Sequence, residues 1–169
     1  SAGVSPPLPW VGQPQVLRMD WNGTPVTLIN FHMAPTTLNN VRFISTLNRL
    51  REDEARALIE AARQSGTVIL GGDANTTPIS DAYAIFTTDF KDAWKEAGFG
   101  LGHTFPGSDV PGSSRPNIAG VPVPMWLARI DYIFYSADFQ AIAARQARFD
   151  GISDHRGVIA VLMWSAGEE

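Results

Sequence analysis

Six residues of this chain carry side chains fit for proton transfer or for holding a hard cation: His32, Asp73, Asn75, Asp131, Asp154 and His155. A histidine backed by a carboxylate is held in one tautomer, and its cationic form is stabilised. Such a histidine works as a general acid or base, or as a fixed cation facing a phosphoryl oxygen. Asp131 is the candidate partner of His155. Asp73 is placed to orient or deprotonate a water, and Asn75 to hold that water or a phosphate oxygen. Asp154 offers a hard oxygen suited to magnesium or manganese. Taken singly, these residues have plainer readings. An Asp–His pair is often structural, and Asp73-Ala74-Asn75 suits an Asx turn in which both side chains bond their own backbone. Repetition points to a site: in several places along the chain an apolar run delivers a polar residue at its end.

The elements that must position these residues follow from the pattern around them. Val68-Ile69-Leu70 reads as a short buried strand running into Gly71 and Gly72. The glycines allow a sharp turn and a close backbone approach. Asp73 and Asn75 then stand where the strand leaves the sheet, the place where α/β proteins bind ligands. Upstream, Gln15–Trp21 and Thr24–Phe31 read as two strands joined by Asn22-Gly23, a strong hairpin signal, with His32 at the exit. From about Asn40 to Gln64 the pattern is helical. Phe43, Ile44, Leu47, Leu50, Leu58, Ile59 and Ala62 form one stripe, Glu52 can pair with Arg56, and Gly66 follows as a left-handed cap. Ser80 is a cap for a short helix through Phe86, and Asp92–Ala97 reads as another ending at Gly98. Residues 98–128 are dense in glycine and proline. So long a loop is often functional, and its His103, Thr104, Arg115 and Trp126 are candidates to line a cleft, although a plain surface loop fits equally. Arg129–Tyr135 reads as a strand carrying Asp131, Phe139–Arg148 as a weaker one, and Val158–Trp164 as the last. Residues 1–14, with Pro6, Pro7, Pro9 and Pro14, read as a linker or extended arm. Residues 15–164 read as one domain and 165–169 as a tail.

Composition narrows the classes. With 169 residues, 44% hydrophobic and 18% charged, the chain suits one compact domain. A net charge of -4 argues against a broadly basic surface for duplex DNA. It leaves open a metal-dependent enzyme acting on phosphate, because the ion supplies positive charge locally. There is no cysteine, hence no disulfide or thiolate chemistry, and no apolar run approaches a membrane span. Ser1 opens the chain in place of Met, consistent with a mature product, a domain or a fragment. Trp10, Trp21, Trp94, Trp126 and Trp164 are expected to pack in the core or an interface and not to stack on bases.

Asn30-Phe31-His32, Gly72-Asp73-Ala74-Asn75, Arg129-Ile130-Asp131-Tyr132 and Ser153-Asp154-His155 resemble, in order, the later motifs of the endonuclease/exonuclease/phosphatase (DNase I-like) superfamily. The resemblance runs from about Gln15 to Trp164. It implies an α/β (α+β) fold: part of a four-layer sandwich, with a mixed, mostly antiparallel sheet and helices on its outer face. It also implies hydrolysis of a phosphodiester or phosphomonoester by activated water, with one Mg2+ or Mn2+ ion. His32, Asp73, Asn75, Asp131 and His155 would be catalytic, Asn75, His103 and Arg129 would bind substrate, and Asp154 would lie in the metal shell. The Gly98–Pro106 segment and the Arg-Ile-Asp strand are similar to a bacterial branch of this superfamily. Some of its members carry membrane-spanning segments ahead of the domain, so an extracytoplasmic position is one expectation.

The chain departs from the family at its start. The resemblance calls for an Asn and a metal-binding Glu on two earlier strands, in a region preceding that which aligns with Gln15, and Asp20 in the hairpin does not replace them. The ligand set is therefore incomplete, and the chain alone is expected to be nearly inert. An alternative is a non-catalytic fragment or assembly module that keeps the fold without the metal Glu. The inner, apolar face of half a sandwich is expected to need a cover. That cover would be the missing N-terminal half or a second copy of the chain in a homodimer.

Overall fold

The computed structural model describes residues 12–36, 43–108, 117–118, 120–125, 127–149 and 152–165. Two long strands open it, β1 (Gly12–Trp21) and β2 (Thr24–His32), joined at Asn22-Gly23. Both turn residues take positive φ, which suits the hairpin. β1 starts inside the segment read as a linker. A break in register between Gly12 and Gln15 takes up Pro14, which has no N–H to give a regular ladder. Residues 1–11 lie outside the described residues.

Helix α1 (Ile44–Arg63) crosses over from β2 to β3 (Thr67–Asp73), and the two strands pair in parallel. Residues 37–42, which held the expected start of α1, lie outside the described residues. The buried stripe of α1 is narrower than its apolar pattern. Ala55, Leu58, Ile59 and Ala62 are in the core, whereas Phe43 and Ile44 at the start of the helix are exposed. Arg56 pairs with Glu52 at 3.0 Å. Next come α2 (Asp81–Asp89), β4 (Lys91–Asp92) and α3 (Ala93–Ala97). Ser80 caps α2 by accepting from the Tyr83 N–H at 3.1 Å, and Asp92 caps α3 by accepting from the Trp94 N–H at 2.9 Å. The long loop holds a small hairpin, β5 (Asn117–Ile118) with β6 (Val121–Pro122). It leads to β7 (Asp131–Tyr135), β8 (Phe139–Gln146) and β9 (Val158–Trp164).

The main sheet has the order β1-β2-β3-β7-β4, mixed and mostly antiparallel, and β8-β9 form a separate antiparallel pair. Strand alternation divides the core in two. Ile29, Phe31, Val68, Leu70, Tyr132 and Phe134 point to one face, under α1 and α2. Val26, Leu28, Ile69, Ile133 and Tyr135 point to the other, against α3 and the β8-β9 pair. That second face is therefore partly covered from within the chain. Val16 and Leu17 of β1 remain exposed, as do Ile142 of β8 and Ile159, Val161 and Met163 of β9. A strand apolar on both faces is of the kind found buried on both. Among the described residues no helix is long and apolar enough to cross a membrane.

Trp94 is held by glycines: its indole N–H donates to the Gly100 carbonyl at 3.1 Å, and a Cβ at Gly102 would meet the ring at 2.4 Å. Trp164 packs edge-on against Phe139, Trp21 is exposed, and Trp10 and Trp126 lie outside the described residues.

At Gly72 the close approach expected of the paired glycines is present. A Cβ there would sit 1.9 Å from the Phe31 carbonyl oxygen, whereas at Gly71 the nearest atom would be 3.8 Å away. Gly72→Ala is expected to destabilise the fold by at least about 2 kcal/mol. Gly71→Ala should stay within about 1 kcal/mol of the parent. Urea unfolding of the two variants checks the pair, and equal losses would contradict the geometry.

Candidate active site

Register builds the site. His32 of β2 lies opposite Asp73 of β3, and Asp73 lies opposite Asp131 of β7. Three residues in one cross-strand row, on one face, are near neighbours by construction. That face is the one the β8-β9 pair packs against, and His155 sits in the connection between those two strands, over the row. Its Nδ1 is 2.8 Å from Asp131 Oδ2, so Nε2 is the nitrogen left toward Asp73, 3.9 Å from Oδ2. His32 Nε2 is 3.6 Å from the same oxygen. The two histidines therefore approach Asp73 from either side at ion-pair distance.

Asn75 serves both of the readings open at the sequence level. Its N–H donates to Asp73 Oδ1 at 2.7 Å, which is an Asx turn. Its side-chain amide donates to Asp73 Oδ2 at 3.1 Å and to the Met33 carbonyl at 3.0 Å, tying the ends of β3 and β2 together. Asn75 has a φ of +49°, a conformation asparagine tolerates better than most residues.

The loop bearing His155 is stitched in place. The Arg156 N–H donates to the Thr104 carbonyl, the Gly107 N–H to the Asp154 carbonyl, and Arg156 Nε to the Gly107 carbonyl. Thr104, fully buried, also accepts from the N–H groups of Ile130 and Asp131 at 3.1 and 3.2 Å. It thus fixes the start of β7 and the His155 loop to one another. The sequence offered it only as a cleft-lining candidate. The Phe105 ring packs on the His155 ring at 4.9 Å.

The remaining sequence candidates are placed differently. Arg129 is buried: its guanidinium pairs with Asp92 at 2.7 Å and sits 4.7 Å from the Tyr132 ring, so it holds the core and does not face a cleft. His103 is half-buried and lines a shallow cavity of about 160 Å³ with Met125, Gln146 and Arg156. Asp154 is exposed; its backbone carbonyl accepts from the Gly107 N–H, and its charge acts on the adjoining His155. Arg115 lies outside the described residues.

The electrostatics reflect the crowding of two carboxylates. Burial and the neighbouring Asp131 charge push the Asp73 carboxyl up to about 6, only partly offset by the Asn75 N–H and the two histidines. For His155, burial alone favours the neutral ring. The hydrogen bond and charge of Asp131, with Asp73 and Asp154, outweigh it and raise its pKa. Ligand atoms of Asp73, Asp131 and His155 lie within 4.8 Å of one another, a group able to hold a metal ion. The donors fit a hard divalent cation, which would relieve the Asp73–Asp131 repulsion. Asp154 is not part of that group.

The site is thus a cross-strand row of His32, Asp73 and Asp131 at one end of a mixed sheet, with His155 held over it by Asp131. The model of the endonuclease/exonuclease/phosphatase family matches residues 4–155, and the chain belongs to that family, whose members hydrolyse phosphate esters. No curated protein sequence matches the chain. Among solved structures it is similar to an endonuclease/exonuclease/phosphatase from Bacteroides vulgatus, with TM-score 0.60 and 22% identity, over 85% of this chain and 51% of that one. It is similar to a mannosyl-6-phosphatase of Bacteroides thetaiotaomicron, with TM-score 0.58 and 20% identity, over 85% and 53%. The human Nocturnin catalytic domain matches with TM-score 0.62 and 18% identity, over 90% and 52%. At these identities the likeness is one of fold, which is DNase I-like. The chain spans about half the length of each.

Asp73 generates a pH prediction. Its folded pKa of about 6 exceeds the ordinary 3.8, so the folded state holds this proton more tightly than the unfolded chain does. The resulting stabilisation is complete below 3.8 and is lost as pH rises through about 6. The stability of the parent relative to Asp73→Asn should fall across this window by up to about 3 kcal/mol. Urea titrations at a series of pH values measure it; a difference that stays level with pH would contradict the assignment.

Proposed function

We propose that the chain carries the His–Asp half of a metal-dependent phosphoesterase, in which water attacks the phosphorus of a phosphodiester or phosphomonoester. The observation that carries this reading is the His32–Asp73–Asp131 row, with His155 held over it by Asp131 at 2.8 Å. Asp73, aimed by its two hydrogen bonds from Asn75, is suited to take a proton from a water as the new P–O bond forms. Asn75 holds the Asp73 carboxylate in place for that step. His155, whose cationic form is favoured by Asp131, is placed to present an N–H to a phosphoryl oxygen, where negative charge grows as the ester bond breaks. His32, more exposed, presents the second. Asp73 and Asp131 are the oxygens that would hold a magnesium or manganese ion, whose chemistry is to stabilise charge on the phosphate and leaving oxygen.

Two observations support a need for a further layer of structure: the exposed apolar rows on β1 and β9, and the half-length coverage of the matched structures. In this reading the rest of a two-sheet sandwich covers those rows and completes the metal's ligands, so the chain alone turns over little. A second copy of the chain is the other candidate cover. The mannosyl-6-phosphatase among the similar structures makes sugar phosphates a reasonable first substrate set. The acidic balance of the chain makes duplex DNA a poor one.

The test is hydrolysis of bis-p-nitrophenyl phosphate and of sugar phosphates, with magnesium and with EDTA. It is run on this chain alone and on the chain joined to the remaining half of a sandwich. Turnover is expected in the longer form, to be abolished by EDTA, and to fall roughly 100-fold or more in His155→Ala and Asp131→Asn. Absence of turnover in the longer form would favour the non-catalytic reading.

A further inference from the structure

Glu54 has no exposed surface, yet its Oε1 has no hydrogen-bond partner among the described residues. A buried carboxylate left half-satisfied is costly and calls for an explanation. Its other oxygen, Oε2, accepts from the Ala34 N–H at 2.9 Å. Arg51, one turn earlier on α1 and also buried, donates from Nε to the Ala34 carbonyl at 2.8 Å, and from its other nitrogens to Asn48 and Thr36. The two side chains do not pair directly. They grip the two backbone polar groups of one residue, the second after His32.

The Ala34 N–H belongs to the same planar peptide as the Met33 carbonyl. That carbonyl accepts the Asn75 side-chain amide at 3.0 Å, while the Met33 N–H donates to the Asp73 carbonyl at 2.9 Å. A single rigid unit thus has Glu54 on one edge and Asn75 on the other. Tilting this plane moves the acceptor that aims Asn75, and Asn75 in turn aims the Asp73 carboxylate.

We propose that Arg51 and Glu54 are positioning residues for the active site, a buried clamp on the exit of β2 that sets Asn75, and through it Asp73, by way of the Met33–Ala34 peptide. The role as positioning for catalysis rests on the phosphoesterase reading; the mechanical coupling does not. Helix α1 is therefore more than a crossover. The clamp explains why two charged residues occupy its core-facing side, where the neighbouring positions are Ala55 and Leu58.

Replacing both side chains by methionine leaves the Ala34 N–H and carbonyl without these partners and costs stability, so the double variant is read in its folded form and Asn75→Gly, which leaves α1 intact, separates positioning from folding. In the Arg51→Met/Glu54→Met variant of this chain, the Ala34 amide and the Asn75 side-chain amide should exchange with solvent at least ten-fold faster, with a shifted Asn75 NH2 signal by NMR. Glu54→Gln, which keeps an acceptor oxygen, should restore both. Coupling through the peptide also runs backwards. Asn75→Gly, which keeps the left-handed backbone and involves no buried substitution, should speed Ala34 amide exchange at least ten-fold. Unchanged Ala34 exchange in Asn75→Gly overturns the proposal, as does an unchanged Asn75 signal in the folded double variant. In a longer form with turnover, the double variant should lower kcat ten-fold with little change in KM. Loss of all turnover in the parent would remove the phosphoesterase reading while leaving the NMR result to decide the coupling.

Discussion

The structure depends on a parallel register between β2 and β3 continued antiparallel into β7, because it puts His32, Asp73 and Asp131 in one row. Side chains alternate faces along a strand, so a slip of one residue in any of the three would send one member to the helix side of the sheet. The core guards against that slip. Phe31, Leu70, Tyr132 and Phe134 fill the opposite face with stacked rings, Phe86 with Phe134 at 4.7 Å and Tyr132 with Phe134 at 5.2 Å. Gly72 lets β3 pass against the Phe31 carbonyl without displacing it. The apolar packing under α1 and α2 and the polar row above it are two consequences of one pairing.

A cluster this close stores electrostatic energy. Two carboxylates and two imidazoles share a small volume, and burial, with the Asp131 charge, lifts the Asp73 pKa to about 6 against the pull of the two imidazoles. The same crowding brings ligand atoms of Asp73, Asp131 and His155 within 4.8 Å of one another, a group able to hold a cation. Around the cluster, the polar side chains that do not face the cleft are spent on holding backbone. Thr104 joins β7 to the His155 loop, and Arg51 and Glu54 hold the exit of β2. Arg129 holds Asp92, the cap of α3, from inside the core.

Much of this was legible in the chain. Hairpin chemistry at Asn22-Gly23, the cap at Ser80, the apolar run before Gly71 and the last strand are local features, written by residues near one another. So was the identity of the site's four central members, because each sits at the end of an apolar run or in a short motif with its neighbours. Arg129 read like a site residue for the same local reason, beside a motif residue. The fold turned the Arg129 side chain into the core toward Asp92. The helical stripe of α1 was overextended, since periodicity records which side of a helix is apolar and not how far the sheet reaches beneath it.

The sequence by itself determined most of the longer elements, their polar ends and the resemblance to the family, because these follow from backbone preference, side-chain period and short motifs. Only the tertiary structure decided which ends meet. The pairing of His155 with Asp131 spans 24 residues, and the Glu54 and Arg51 contacts to Ala34 span 20 and 17. Such contacts arise from strand register and helix placement, which depend on the whole core packing at once. No local window of the chain contains that information.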